Sequence, residues 1–208
     1  MKLLVVEECS FTRLGIAGHF TDNLFTSVTC SQNIETALPL LASFKPSHIL
    51  VNMTKYCRHG ENNALLQAFI LAARQSTLHI YLDTPYPCNK HPIRITGNAF
   101  LFNKSILPEA LKILRENRFS LMDRHEDHSL FSPQELTVMK YWMSEMPNYR
   151  IAKKLHISSH TVYVHKRHIT EKINVRNRLE FYSLYNVLRY FYPPAPASNH
   201  TLLELMAV

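Results

Sequence analysis

Between Ser158 and Ile173 the chain reads SSHTVYVHKRHITEKI. An apolar line at helical spacing through Val162, Ile169 and Ile173 leaves Tyr163, Lys166, Arg167 and Lys172 on other faces. Cations and hydrogen-bonding groups displayed along a helix are suited to phosphates and base edges. Just upstream, Asn148–Leu155 predicts a shorter helix that shows Arg150, Lys153 and Lys154 and buries Ile151 and Leu155. Other reactive side chains form no comparable pattern. The twelve histidines fall into no nucleophile or metal motif. His125, Glu126, Asp127 and His128 adjoin one another in a polar stretch, and neighbours in a linker rarely converge on one ion. Cys9, Cys30, Cys57 and Cys88 have no paired spacing and read as reduced thiols. The four glycines all lie at or before position 97, too sparse to cradle a phosphate. No enzyme, no cofactor and no metal is expected.

The elements that must position the basic helix are legible. Ser132, Pro133 and Glu135 spell a capping box with proline at the first helical position, followed by Leu136, Met139 and Met143 on one face. A break at HISS precedes the third helix, His160–Ile173, capped by Ser158 or Ser159. Two short helices joined by a tight turn, the second basic, make a helix-turn-helix. Residues 131–192 hold 10 basic and 4 acidic residues, the densest share of a net charge of +7. An anionic partner is therefore expected.

Residues 1–118 alternate instead between strands and helices. Leu3–Val6, Thr26–Ser31, His48–Val51, Leu78–Leu82 and Phe100–Phe102 predict strands. Thr12–Leu24, Ile34–Phe44 (broken or bent near Pro39), Ala64–Gln75 and Leu107–Arg118 predict helices, the first with Leu14, Ile16, Ala17, Phe20 and Leu24 as its apolar pattern. That order implies a doubly wound α/β domain on a parallel five-stranded sheet, with its site at the carboxyl ends of the strands. A fourth helix is poorly supported, because Tyr86–Pro92 contains Pro87 and Pro92. Residues 119–130 read as an acidic linker, and 193–208, opening PPAP, as a tail. The opening MKLLVVEE is too short for a signal core, and 64–73 is far short of a membrane span, so a cytoplasmic protein without membrane contact is expected.

The first 118 residues resemble the flavodoxin-like receiver domains of bacterial response regulators. The likeness rests on LLVVEECSFTRLGI and KPSHILVN. It implies that Glu7 and Glu8 occupy the place of a metal-binding acidic pair and Asn52 the place of the phospho-accepting aspartate. Asp83 stands where receivers carry Ser or Thr, and Asn103, or Lys104 one residue on, where they carry Lys. An amide cannot form an aspartyl phosphate, so this reading is a receiver-like domain with a degenerate phosphorylation pocket.

FSPQELTVMKYW and NYRIAKKLHISSHTVYVHKRHITEKINVRNRLEF resemble the four-helix LuxR/GerE-type DNA-binding domain over about residues 130–188. Its anchors here are Glu135, Asn148, Ile151, Ala152, Leu155, Ser158, Thr161, Val162, His165, Ile169, Lys172, Val175, Arg178 and Glu180. The resemblance assigns base reading to Tyr163, Val164 and Arg167, and phosphate contacts to Thr161, Lys166, Lys172, Lys153 and Lys154. His165 stays open between a packed residue and a phosphate donor. Tyr163 replaces a usual Lys, and Glu145 a usual Gly, so a longer turn is expected there. Phe181, Tyr182, Tyr185, Tyr190, Phe191 and Tyr192 read as core and dimer surface rather than a base-stacking platform.

Through CSFTRLGI, the WM at 142–143 and the HTVYVHK stretch, the chain looks most like the enterobacterial auxiliary regulators of capsule synthesis and fimbriae. That likeness implies double-stranded DNA as partner, a homodimer or a heterodimer with a LuxR-type response regulator, an activator role, and RNA polymerase as a further partner. Two alternatives stand beside it: a conventional phosphorylation-controlled response regulator, and a small-molecule-sensing LuxR-type regulator, whose sensor is usually longer.

Overall fold

The computed structural model describes residues 1–58, 60, 62–116 and 129–192. Leu3, Leu4, Val5 and Val6 are all buried in β1 (Lys2–Val6), the mark of a strand covered on both faces. Beside it lie β2 (Ser27–Ser31) and β3 (His48–Asn52), followed by β4 (Thr77–Leu82), β5 (Ile93–Thr96) and β6 (Ala99–Asn103). The sheet runs in the order β2-β1-β3-β4-β6-β5, and every neighbouring pair is parallel except β5 with β6.

Strand alternation divides the core. Leu4, Val6, Ile49, Val51, Ile80 and Leu82 meet α2 (Ile34–Phe44) and α3 (Ala64–Ala72) through Ile34, Ala37, Leu66 and Phe69. Leu3, Val5, Leu50, Tyr81, Phe100 and Phe102 meet α1 (Ser10–Gly18) and α4 (Leu107–Arg115) through Ile16, Leu107, Ala110, Leu111 and Leu114.

Three expectations change. The sheet has six strands rather than five: Pro87 and Pro92 bar a helix after β4, and Ile93–Thr96 returns as an antiparallel edge strand hairpinned to β6. α1 ends at Gly18, short of Leu24. Of its expected apolar face, Ile16 and the following Phe20 are buried, but Leu14 is 70% and Leu24 96% exposed. Helix α2 runs through Pro39 as one element, Asn33 capping its start. The expected linker lies outside the described residues except for Ser129 and Leu130, and the tail and the HEDH cluster lie outside them entirely.

Four helices follow: α5 (Pro133–Met143), α6 (Asn148–Leu155), α7 (Ser159–Lys172) and α8 (Arg178–Leu188). The capping box forms as read, Glu135 N–H donating to Ser132 Oγ at 3.3 Å and Ser132 N–H to Glu135 Oε2 at 2.7 Å. Val138, Met139, Ile151, Val162, Ile169, Phe181 and Leu184 fill the interior, with Trp142 stacked on Phe181 at 4.9 Å. Glu145 takes a left-handed conformation (φ 60°), and Met146 N–H reaches back to Tyr141 O at 3.1 Å.

The two halves share one hydrophobic cluster. Leu130 N–H donates to Ile95 O at 3.2 Å, so the start of the helical half covers the β5 edge. The other seam joins α8 to the 3₁₀ turn Thr54–Arg58. There the buried Asn186 amide donates to Cys57 O at 2.9 Å, and Arg189 donates to Gly60 O at 2.8 Å. A Cβ on Gly60 would stand 2.8 Å from the Tyr182 hydroxyl, so the absent side chain permits this approach. The aromatic series of α8 and its end is thus mostly core, with Tyr182 the exposed member.

Candidate nucleic-acid interface

The reading helix is built from its cap outward. Ser158 Oγ accepts from Thr161 N–H at 2.9 Å, fixing the first turn of α7, and α6 ends with His156 left-handed (φ 54°). Val162 and Ile169 are completely buried and lock the inner face. On the outer face His160, Tyr163 and Arg167 are exposed, with Val164 half-buried beside them. Positions 160, 163, 164 and 167 follow the i, i+3, i+4, i+7 rule and form one stripe. His160 was not singled out from sequence, although its spacing from Tyr163 and Arg167 carried the signal. The Arg167 guanidinium pairs with Glu171 at 3.0 Å, one turn further on.

The cations assigned to phosphates divide into two groups. Lys153 and Lys154 are exposed on α6, the ammonium of Lys154 lying 5.2 Å from the Tyr141 ring centre. Lys166, half-buried, and Lys172, exposed, are each engaged by a partner within the domain. Lys166 donates to Asn148 Oδ1 at 2.6 Å and sits 5.1 Å from the Trp142 ring centre, and burial holds its pKa below the usual lysine value. Lys172 pairs with the buried Glu135 at 2.6 Å. Burial pushes that carboxyl's pKa up, but the Lys172 ammonium and the Ser132 N–H outweigh it and leave the value below normal. Thr161 is half-buried and tied to Ser158. His165 is half-buried in a groove of about 200 Å³ with Pro133, Val138, Leu155 and Ile157, which favours its packing role.

At the carboxyl ends of the strands the structure brings the predicted pocket residues together. Glu7, 3% exposed, accepts from Cys9 N–H at 2.7 Å through one oxygen. Its other oxygen accepts from Asn52 Nδ2 at 3.0 Å and from the Tyr81 hydroxyl. Asn52 Oδ1 in turn accepts from Thr54 N–H at 3.0 Å, and Thr54 Oγ1 takes Asp83 N–H at 2.7 Å. Lys104, not Asn103, reaches across: it pairs with Asp83 at 2.7 Å, while Asn103 caps the turn it opens through Ser105 N–H. Glu8 pairs with Lys55 at 2.5 Å. Tyr81 and Thr54 were missed in the sequence, Tyr81 because it reads as one more apolar strand residue. A divalent cation needs carboxylate and carbonyl oxygens turned toward it. With both Glu7 oxygens taken by donors and an amide at position 52, these residues do not fit one.

Among the described residues no group of three or more His, Cys, Asp or Glu could hold a metal ion, and no helix is long and apolar enough to cross a membrane.

The family model described as the N-terminal dimerisation domain of the transcriptional regulator RcsA matches residues 2–127, more than half of the chain. That of the luxR family of bacterial regulatory proteins matches residues 129–185. The transcriptional regulatory protein RcsA of Erwinia amylovora is 23% identical over 193 residues, covering 88% of this chain and 92% of its own. The regulator EntR of Citrobacter freundii is 25% identical over 192 residues, covering 86% and 94%. Among solved structures, RcsB from Salmonella enterica serovar Typhimurium bound to a promoter covers 92% of this chain and 97% of its own, at 15% identity and a TM-score of 0.46. At that score no contact is carried from one molecule to the other.

Proposed function

The chain belongs to the RcsA family of transcriptional regulators, with that family's N-terminal dimerisation domain ahead of a LuxR-type DNA-binding domain, and we propose that it reads sequence with α7 without a phosphorylation switch. The observation that carries the reading is the stripe His160, Tyr163, Val164 and Arg167, solvent-facing on a helix whose opposite face is locked in the core. Arg167 reads guanine through two parallel N–H donors, Val164 meets a thymine methyl, and Tyr163 supplies a hydroxyl or ring edge. Glu171 holds the guanidinium in place before DNA arrives. Lys153, Lys154 and Thr161 take phosphates, which fix register without reading sequence. Lys166 and Lys172 act chiefly by anchoring α7 to α5 and α6.

The pocket supports control without phosphorylation. Position 52 offers an amide whose hydrogens satisfy Glu7, and no carboxylate nucleophile stands in its place. One helix-turn-helix offers few contacts, so a second protomer, the same chain or a LuxR-type response regulator, supplies the second half-site.

Fluorescence anisotropy on operator fragments, across a salt series, tests the reading. Binding should weaken steeply with salt, and Arg167→Ala should cost about 1–3 kcal/mol and relax specificity at one base pair. Unchanged binding by that variant would mean another element reads the groove. Intact-mass measurement after treatment with a small-molecule phosphodonor should show no added phosphoryl group. An adduct lost in Glu7→Gln would restore the conventional response-regulator reading.

A further inference from the structure

The outer stripe of α7 begins at a histidine, the side-chain type whose charge changes most readily between pH 5 and 8. His160 is the second residue of the helix and exposed, one turn ahead of Tyr163 and Val164 and two ahead of Arg167. Among the described residues its ring has no hydrogen bond, ion pair or aromatic contact. A helix that enters the major groove offers its N-terminal residues to base edges, so His160 enters with Tyr163 and Val164. Acid is missing around it. From Met146 to Thr170 the chain carries five Lys or Arg and no Asp or Glu. α6 brings the exposed cations Arg150, Lys153 and Lys154 and, where it ends, His156. α5 brings Lys140, while its Glu135 is held by Lys172 at the last residue of α7. Glu171 is held by Arg167, and Glu145 by Arg178. Among the described residues no carboxylate of these helices is left to hold a proton on His160.

We propose that His160 is a specificity-determining residue that reads guanine as the imidazolium, so that operator binding takes up a proton and tightens as pH falls. The proposal rests on the DNA-reading function above and deepens it. A neutral imidazole has one N–H donor and one acceptor nitrogen, whereas the imidazolium has two donors. In the major groove guanine alone presents two acceptors, N7 and O6, while adenine sets a donor beside its N7. The charged ring therefore selects guanine, and the neutral ring discriminates less. DNA supplies the anion that these helices do not. Phosphates flank the groove, and an anion within about 4–6 Å of an imidazole favours its charged form. The proton passes from the buffer to the ring nitrogen as the complex forms. A lysine at this place would bring its charge at every pH. His160 lies seven residues, about 10 Å, along the helix from Arg167, which sets their base pairs about two to three steps apart.

Fluorescence anisotropy of the full-length chain at pH 6 and pH 8 tests this. The probes are a duplex selected by the chain from a random-sequence pool at pH 6, and its single-base-pair variants. Wild-type affinity should fall by about tenfold or more from pH 6 to pH 8, since uptake of one proton gives at most about tenfold per pH unit. His160→Gln should remove most of that dependence, and so should His160→Lys, whose charge is fixed. Replacing the G·C pair about two to three steps from the Arg167 pair should cost the wild type more at pH 6 than at pH 8. In His160→Gln that replacement should cost nothing at either pH. The site is exposed and both replacements are good helix formers, so circular dichroism should show the fold kept. A slope that survives both substitutions puts the proton elsewhere, on His156 or His168, and overturns the proposal. Variants that weaken binding equally for every sequence, with a salt slope smaller by about one, would make His160 a phosphate contact and overturn it too. If Arg167→Ala relaxes its own base pair while His160→Gln changes nothing, the proposed function stands and this inference falls. A wild type that binds no DNA at either pH would sink both.

Discussion

At the scale of single residues, the pocket at the carboxyl ends of the strands is tied together through the Asn52 amide. Asn52 can serve Glu7 only as an amide, since its Nδ2 is the donor at 3.0 Å. Asn52→Asp would set two carboxylates against each other and leave Glu7 short of a donor. The expected cost is about 1–3 kcal/mol at neutral pH. Thermal melts of both proteins at pH 7 measure this. Glu135 is the second test. Its folded pKa lies below the ordinary 4.5, so the stability it contributes is present above that value and lost as pH falls through the folded pKa. Glu135→Gln keeps the cap and removes the charge. The wild type should be more stable by about 1 kcal/mol at pH 7, and the two should converge below about pH 4.5. Urea titrations across that range would show it.

At the scale of elements, legibility followed how local the deciding interaction is. The Ser132–Glu135 cap and the apolar line Val162–Ile169–Ile173 are settled within one or two turns, and they stand in the structure as read. Leu24 misled because its spacing suits a helix that in fact stops at Gly18. Strand β5 was missed because Pro87 and Pro92 argued only against a helix. Gly97-Asn98 between two apolar runs was the positive signal for a hairpin. The pocket's Asp83–Lys104 pair joins residues that directly follow separate strands, β4 and β6, which periodicity along the chain does not reveal. The α5–α6 turn offers a prediction at this scale. Glu145 holds φ 60° without being glycine, and its ion pair with Arg178 at 3.3 Å is largely exposed and worth little. Glu145→Gly should therefore stabilise the domain by about 0.5–1 kcal/mol. Its melting temperature should rise by a few degrees, and an unchanged or lower value would mean that the Arg178 pair outweighs the backbone strain.

At the scale of the molecule, the question is whether docking of the two halves restrains DNA binding or only orders it. Docking covers α8, where Asn186 is 2% exposed and donates to Cys57 O, yet it leaves the outer stripe of α7 in solvent. A clamp that hides one helix and presents another should set orientation without blocking the groove-reading surface. Asn186→Ala removes the buried donor and leaves the Cys57 carbonyl without it, at a cost of about 1–3 kcal/mol borne by the seam. Cys57 is itself the reporter. Burial pushes its thiol up to about 12, whereas Cys9, Cys30 and Cys88 are exposed. Maleimide labelling followed by mass should therefore show three fast additions and one slow one in the wild type. In Asn186→Ala the slow addition should accelerate as the halves separate. DNA affinity of the variant should stay within about threefold of wild type if docking only orders the domains. A gain of about tenfold, some 1.4 kcal/mol, would instead make the docked state inhibitory. Accelerated labelling with unchanged affinity is the outcome that the exposed α7 stripe requires.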